Sequence, residues 1–322
     1  MAVYYEDLQT ELEQLFGTQV IVKSDQITIG KEIYPVEDDV IILDKINAEE
    51  RDKNRVIESF GREWERFSDR KAEHDKDFDN YFDLVDLSAL QGTRCADLGC
   101  GMGRWSQILL EKVDVRLLVM IDYSDAIFVA RKNMRHRRNV IFIKADLETL
   151  SLSSDFFDFS LCLGVLHHIP GGVKTAAENI ARISKKHLCY LYYNFDNRGI
   201  VFRTVFKTSN IMRRVLSSIN QEWIRITLSH LLTVIAYYPF ILAAALVDFL
   251  GRNNENVPLN YYVGYSYNRI RQDAYDRFFT PVEYRFNQGH IIEIFQPLYA
   301  QVTISEKPPF WHFLCEKATR GS

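Results

Sequence analysis

The chain has 322 residues, a net charge of −4, 47% hydrophobic residues and 25% charged ones. At roughly 150 residues per domain that length predicts about two domains. The mix excludes wholesale disorder, collagen-like repeats and a coiled-coil rod, and the slightly acidic balance makes no case for a nucleic-acid binder. The first segment, MAVYYEDLQTELEQLF, spaces Leu8, Leu12 and Leu15 as a short helix does. Its acids stand where a secretory signal needs a basic start, so a reducing cytoplasm is expected. From residue 19 to Lys45, Val20/Val22 and Ile27/Ile29 alternate and Val40 to Leu43 is continuously apolar, which predicts a small β module. Residues 47–68 predict a helix with the stripe Val56, Phe60, Trp64 and Phe67. A second apolar-periodic stretch runs from Asn80 to Leu90.

From residue 94 the rhythm changes to strand, helix, strand. RCADLGC, VRLLVMID, NVIFIKAD, FDFSLCLGVLHH and KHLCYLYYN read as strands, and WSQILLEKV, DAIFVARKNMR and TAAENIARI as helices. Nearly continuous apolar strands alternating with helices predict a buried parallel sheet. At the far end, YAQVTISEKPPFWHFLCEK predicts an antiparallel hairpin over 299–317. The five cysteines, Cys95, Cys100, Cys162, Cys189 and Cys315, are odd in number with no C-x-x-C spacing. That speaks against zinc and disulfides and for small core residues.

Residues 196–279 interrupt the rhythm. Arg198, Arg203, Lys207, Arg213, Arg214 and Arg225 are accompanied by one acid, Glu222. Ile211, Val215, Leu216, Ile219, Trp223 and Ile226 form a helical stripe, and Leu231 to Val247 carries no charge. That run is at the short limit for a membrane span, which needs about 20 residues, and Pro239 lies within it. Two readings remain: a buried helical hairpin over the active site, or docking on a membrane surface helped by the basic helix with Arg213, Arg214 and Arg225.

The chemistry concentrates in CADLGCGMGRW, residues 95–105. A strand ends at Asp97, and Gly99, Gly101 and Gly103 allow close backbone approach to a ligand. The helix that follows points its first N–H groups at that ligand. Nicotinamide and flavin proteins use a related turn, but the spacing here is G-x-G-x-G rather than G-x-G-x-x-G. The second strand ends at Asp122, placed to accept hydrogen bonds from ribose hydroxyls. The third ends at Asp146, placed to receive an adenine amino group, and the fourth brings His167 and His168 to the same edge. Asn194 follows the fifth strand. Four consecutive strands therefore set polar residues where open α/β sheets bind ligands.

These residues resemble the class I S-adenosylmethionine-dependent methyltransferases. ADLGCGMG is similar to that family's glycine motif. MIDYSDAIFVARKN is similar to its second motif, and KADLETLSLSSDFFDFSLCLGVLHHI to its third and fourth strands. The resemblance covers about a hundred residues, 94–190. It implies a Rossmann-like seven-stranded sheet with a final antiparallel hairpin. It also implies S-adenosyl-L-methionine bound by Asp97, Gly99, Cys100, Gly101, Gly103, Asp122, Tyr123, Asp146, Leu147 and Leu163. IGKEIYPVEDDVIIL resembles the end of a zinc-ribbon-like module that precedes some bacterial methyltransferases, but lacks its cysteines, so no metal is expected. ESFGREWERFS resembles the helix that helps cover the cofactor in such chains, with Phe60 and Trp64 read first as core. RFFTPVEYRFNQGH resembles the helix before the last two strands.

The expected organisation is a β module over 1–45, a methyltransferase domain over 46–195 and 280–318, and a helical insertion over 196–279 that roofs the substrate. The expected reaction is methyl transfer to a small or lipid-like acceptor, with peripheral membrane contact through 198–250 left open. His167, His168 and Asn194 are the candidate catalytic or substrate-contacting residues. The alternative for the histidines is a structural pair in which one packs and the other bonds backbone, since methyl transfer needs mostly alignment. A nicotinamide-dependent oxidoreductase and a non-catalytic cofactor-binding scaffold are the competing functions.

Overall fold

The computed structural model describes residues 4–44, 53–54, 57–58, 61, 73–195 and 198–318. Most of the helix expected over 47–68, with Val56, Phe60, Trp64 and Phe67, lies outside the described residues. The described chain forms two compact units, 1–193 with 284–322, and 194–283.

The first unit is built on one eleven-stranded sheet. Its strands are β1 (Val20–Val22), β2 (Gln26–Ile29), β3 (Glu32–Glu37), β4 (Val40–Ile42), β5 (Arg94–Leu98), β6 (Leu117–Asp122), β7 (Val140–Lys144), β8 (Phe157–Leu163), β9 (Ser184–Tyr190), β10 (Gln301–Ile304) and β11 (His312–Glu316). The spatial order is β1-β2-β3-β4-β7-β6-β5-β8-β9-β11-β10. Strands β7, β6, β5, β8 and β9 run parallel, and β11 lies antiparallel between β9 and β10. These seven form the expected Rossmann-like sheet with its terminal hairpin. Leu117 to Ile121 are all buried, as a strand covered by helices on both faces must be. The helix Lys174–Ile183 shows how the faces are covered: Ala176, Ala177, Ile180, Ala181 and Ile183 turn inward.

Strands β1 to β4 form an antiparallel meander, and β4 then pairs in parallel with β7, Val40 opposite Phe142. The expected separate module over 1–45 is therefore an extension of the main sheet. Leu12, Leu15, Val20, Ile27, Val40 and Ile41 belong to the same buried cluster as the parallel strands. The Tyr4 hydroxyl donates to the Val140 carbonyl at 3.0 Å, fastening the start of the chain to β7. A three-residue strand such as β4 cannot bury its apolar side chains alone, and the β7 edge gives it a ladder and a core together.

The second unit is helical: Ile200–Leu216, Glu222–Leu232, a π-helical turn Thr233–Tyr237, Tyr238–Phe249 and Tyr267–Phe279. Glu222 to Phe249 is one continuous helical run of 28 residues. Leu232, Tyr237, Ile241, Ile270, Ala274, Tyr275, Phe278 and Phe279 make its own core. Two expectations change here. The uncharged run is not a buried hairpin, because Leu231, Val234, Ile235, Leu242 and Leu246 are all exposed. Nor are Arg213 and Arg225 surface bases. Arg213 is buried and donates to the carbonyls of Thr280 and Pro281 at 3.0 Å. Arg225 is buried and donates to the Ile219 carbonyl at 2.6 Å. Both guanidiniums close exposed chain ends inside the unit, which a fork of five donors does well. Ile219 lies in the break between two helices, so the expected stripe is interrupted there.

Candidate functional site

In the main sheet, β5 leads outward through β6 to β7, whereas β8 and β9 lie on its other side. The carboxyl ends of β5 and β8 thus flank the point where strand order reverses, the usual crevice of an open α/β sheet. Gly99, Gly101 and Gly103 leave β5 with φ of 77°, 53° and 80°. That left-handed backbone favours glycine, and two of the positions have a second constraint. A Cβ on Gly99 would fall 2.4 Å from a Val165 methyl, and one on Gly103 2.6 Å from the Met134 methyl. These two glycines are therefore required by packing of the protein against its own turn. At Gly164, just past β8, a Cβ would meet nothing within 4 Å among the described residues.

The turn is pinned to the acid ending β6. Gly99 and Cys100 donate to the Ile121 carbonyl at 2.7 and 3.0 Å, and Gly101 N–H donates to Asp122 Oδ2 at 2.8 Å. Asp122 Oδ1 accepts from the Ser124 N–H at 2.8 Å and its hydroxyl at 2.7 Å. A carboxylate offers about four acceptor sites, and three are thereby used within the turn. A ribose with two hydroxyls needs one of them released, and the Ser124 hydroxyl is the one free to rotate. Burial raises the Asp122 pKa, against the pull of the Ser124 hydrogen bonds.

Asp97, buried beneath the turn, accepts from the Ser106 hydroxyl at 2.6 Å. Burial pushes its pKa from the ordinary 3.8 up to about 7, with Ser106 opposing. Ser106 belongs to the helix Arg104–Lys112, which starts directly after Gly103. Arg104 lies over the Trp105 ring at 4.6 Å. Cys100 is buried, and that burial holds its thiol well above the ordinary range.

Asp146 lies just past the carboxyl end of β7, at the expected edge. Its Oδ2 is ion-paired with Lys53, and its Oδ1 accepts from Glu148 N–H at 2.9 Å. Lys53 also bonds Glu148 at 2.9 Å and lies 5.6 Å from the Tyr123 ring centre. Burial opposes the ammonium, but the two carboxylates outweigh it and raise the Lys53 pKa. An adenine amino group would have to share Asp146 with this cation. Leu147 and Leu163 are buried, and the Leu147 carbonyl accepts from Asn179 at 3.0 Å.

His167 and His168 adopt a short 3-10 turn after β8, their rings 4.1 Å apart. His167 is fully buried, stacks on Tyr192 at 3.8 Å and accepts from the Tyr192 N–H at 3.4 Å. Its carbonyl accepts from Tyr284 N–H at 2.8 Å. Burial first, then His168, pushes its pKa well below the ordinary value, so the ring is neutral. Asn194 falls at the start of the second unit. Sequence reasoning missed Ser106, Ser124, Lys53 and Val165. Only Ser124 had a local signal, a serine two residues after an acid in D-Y-S. Among the described residues no group of three His, Cys, Asp or Glu is set to hold a metal.

Residues 95–187 match the family model described as a methyltransferase domain. No curated protein matches the chain. Among solved structures, magnesium protoporphyrin IX methyltransferase from Synechocystis PCC 6803 with bound S-adenosylhomocysteine is 14% identical at a TM-score of 0.48, over 82% of this chain and 97% of that one. The same enzyme with bound S-adenosylmethionine aligns at 21% identity and a TM-score of 0.39, over 47% of this chain and 80% of that one. An S-adenosylmethionine-dependent methyltransferase from Mesorhizobium loti is 20% identical at 0.32, over 37% of this chain and 54% of that one. Matches from Haloferax volcanii and Bacillus halodurans are spanned over 58% and 59% of their lengths.

Proposed function

We propose that the protein is an S-adenosylmethionine-dependent methyltransferase, built around the methyltransferase domain matched over residues 95–187, and that it transfers the cofactor's methyl group to a small-molecule or lipid-like nucleophile. The observation that carries this reading is the pinned turn: the Asp122 carboxylate at the end of β6, held by Gly101 and Ser124. That arrangement fits a ligand with a ribose and a charged tail. Asp122 would hold the ribose, and the turn with the N-terminus of Arg104–Lys112 the tail. Asp97 would act beneath the turn, keeping Ser106 and the helix start in place. The bound cofactor supplies a sulfonium methyl, an activated group that needs alignment more than acid–base help.

His167 is a neutral, buried packing group, so its part is to hold the 3-10 turn against Tyr192. Any proton released by the acceptor would pass to solvent or to His168 rather than to His167. The cytoplasm, where the methyl donor is made and thiols stay reduced, is the proposed location.

The test is transfer of a labelled methyl group from S-adenosylmethionine, with aqueous and organic cell extracts as separate acceptor pools. Label should enter one pool with the native protein and not with Asp122→Ala, and mass spectrometry should find a product heavier by one methylene. Absence of transfer to either pool, with donor binding intact, would favour the scaffold reading. Binding of a nicotinamide cofactor in place of the methyl donor would overturn the assignment.

A further inference from the structure

The 194–283 unit turns apolar surface outward at an unusual density. On the continuous helix Glu222–Phe249, the buried residues Arg225, Ser229, Leu232, Thr233, Tyr237, Ile241 and Ala244 follow one side. They face the helix Tyr267–Phe279. The other side carries Trp223 at 70% exposure, Ile235 at 63%, Leu242 at 63%, Leu246 at 59% and Phe249 at 86%. The spacing is that of one helical row. A soluble protein rarely leaves so continuous an apolar row to water.

A second helix supplies the charge. On Ile200–Leu216 the exposed residues Ile200, Val201, Ile211, Met212 and Val215 share one side. The exposed bases Arg203, Lys207 and Arg214, spaced by four and seven, form the row along its flank. From Arg198 to Gln221 there is no acid. An apolar face flanked by bases alone is complementary to a surface with an apolar interior and anionic heads.

We propose that the 194–283 unit docks in the plane of an anionic lipid surface. The exposed row of Glu222–Phe249 enters the acyl boundary, and Arg203, Lys207 and Arg214 meet the headgroups. The length of the run, about 42 Å at 1.5 Å per residue, would suffice for a span. The packing opposes one. The buried side rests on Tyr267–Phe279, a helix with Arg269, Arg271, Asp273, Asp276 and Arg277. Spanning would carry those charges into hydrocarbon, where charged side chains are strongly disfavoured. In-plane docking wets only one side of the long helix with lipid and leaves the charged helix in water.

The experiment is flotation of the full chain with vesicles of phosphatidylcholine alone or mixed with phosphatidylglycerol. The native protein should float with the mixed vesicles, and binding should weaken steeply with salt. Arg203→Glu/Lys207→Glu/Arg214→Glu should lower affinity on the order of a hundredfold or more, since each base near such a surface contributes about fivefold. Leu242→Asp/Leu246→Asp should abolish binding. Both variants should still bind S-adenosylhomocysteine, which shows that they fold and separates this test from that of the methyltransferase reading. No flotation at low salt would overturn the proposal. So would retention through alkaline carbonate washing, which marks a span. Loss of self-association in the variants without a change in flotation would identify a second copy as the occupant instead.

Discussion

Asp97 is the residue whose surroundings conflict most with its charge. It is buried, it has one hydroxyl donor in Ser106, and its pKa is raised to about 7. A raised carboxyl pKa stabilises the folded state at low pH, where that state keeps a proton the unfolded chain gives up. The contribution is lost as pH rises from about 4 through about 7, by about 4 kcal/mol in total. Asp97→Asn keeps the acceptor for Ser106 and removes the titration. In urea denaturation without ligand, Asp97→Asn should gain on the native protein as pH rises from 4 to 7 and level off above it. A stability difference that does not change with pH would show that Asp97 is not held protonated. Asp122 was legible from its place at the end of a strand after a glycine turn. The Lys53–Asp146 pair was not, because its partners are distant in sequence and Lys53 belongs to no motif.

At the scale of elements, the junction of the β5 turn with the segment after β8 is fixed by contact between Gly99 and Val165. Gly99→Ala should destabilise by about 2–4 kcal/mol, combining left-handed backbone strain with overpacking. In a Val165→Ala background the contacts with the two Val165 methyls disappear and only the one with its Cβ, at 2.9 Å, stays, so the cost should fall by about 1–2 kcal/mol. Thermal or urea denaturation of the four proteins in this cycle measures the difference. Equal costs of Gly99→Ala in both backgrounds would mean that the glycine serves the backbone alone. The glycine spacing in the sequence announced a turn but not that two of its glycines face the protein's own side chains. Likewise, the periodicity of Ile200–Leu216 marked its apolar residues, yet it could not tell which of Arg213 and Arg214 turns inward. That choice depends on the Thr280 and Pro281 carbonyls, which come from elsewhere in the unit.

Over the whole molecule, the seven-stranded core with its hairpin was readable because each strand is locally apolar and the crossovers among the five parallel strands are short. The attachment of the meander to β7 was not, since Val40 and Phe142 pair across a hundred residues and nothing in either segment names the other. The central proposal is that the chain binds S-adenosylmethionine through the Gly99–Gly103 turn and Asp122; the sheet order, the methyltransferase-domain match over 95–187 and the polar turn at the carboxyl edge support it. Calorimetric titration of the full chain with S-adenosylhomocysteine tests it most directly. The native protein should bind one equivalent. Asp122→Ala, verified as folded by its thermal transition, should bind about ten- to a hundredfold more weakly, the loss of roughly 1.5–3 kcal/mol expected when a charged acceptor is removed from ligand hydroxyls. Equal affinity in the folded variant, or no binding by the native chain, would contradict it.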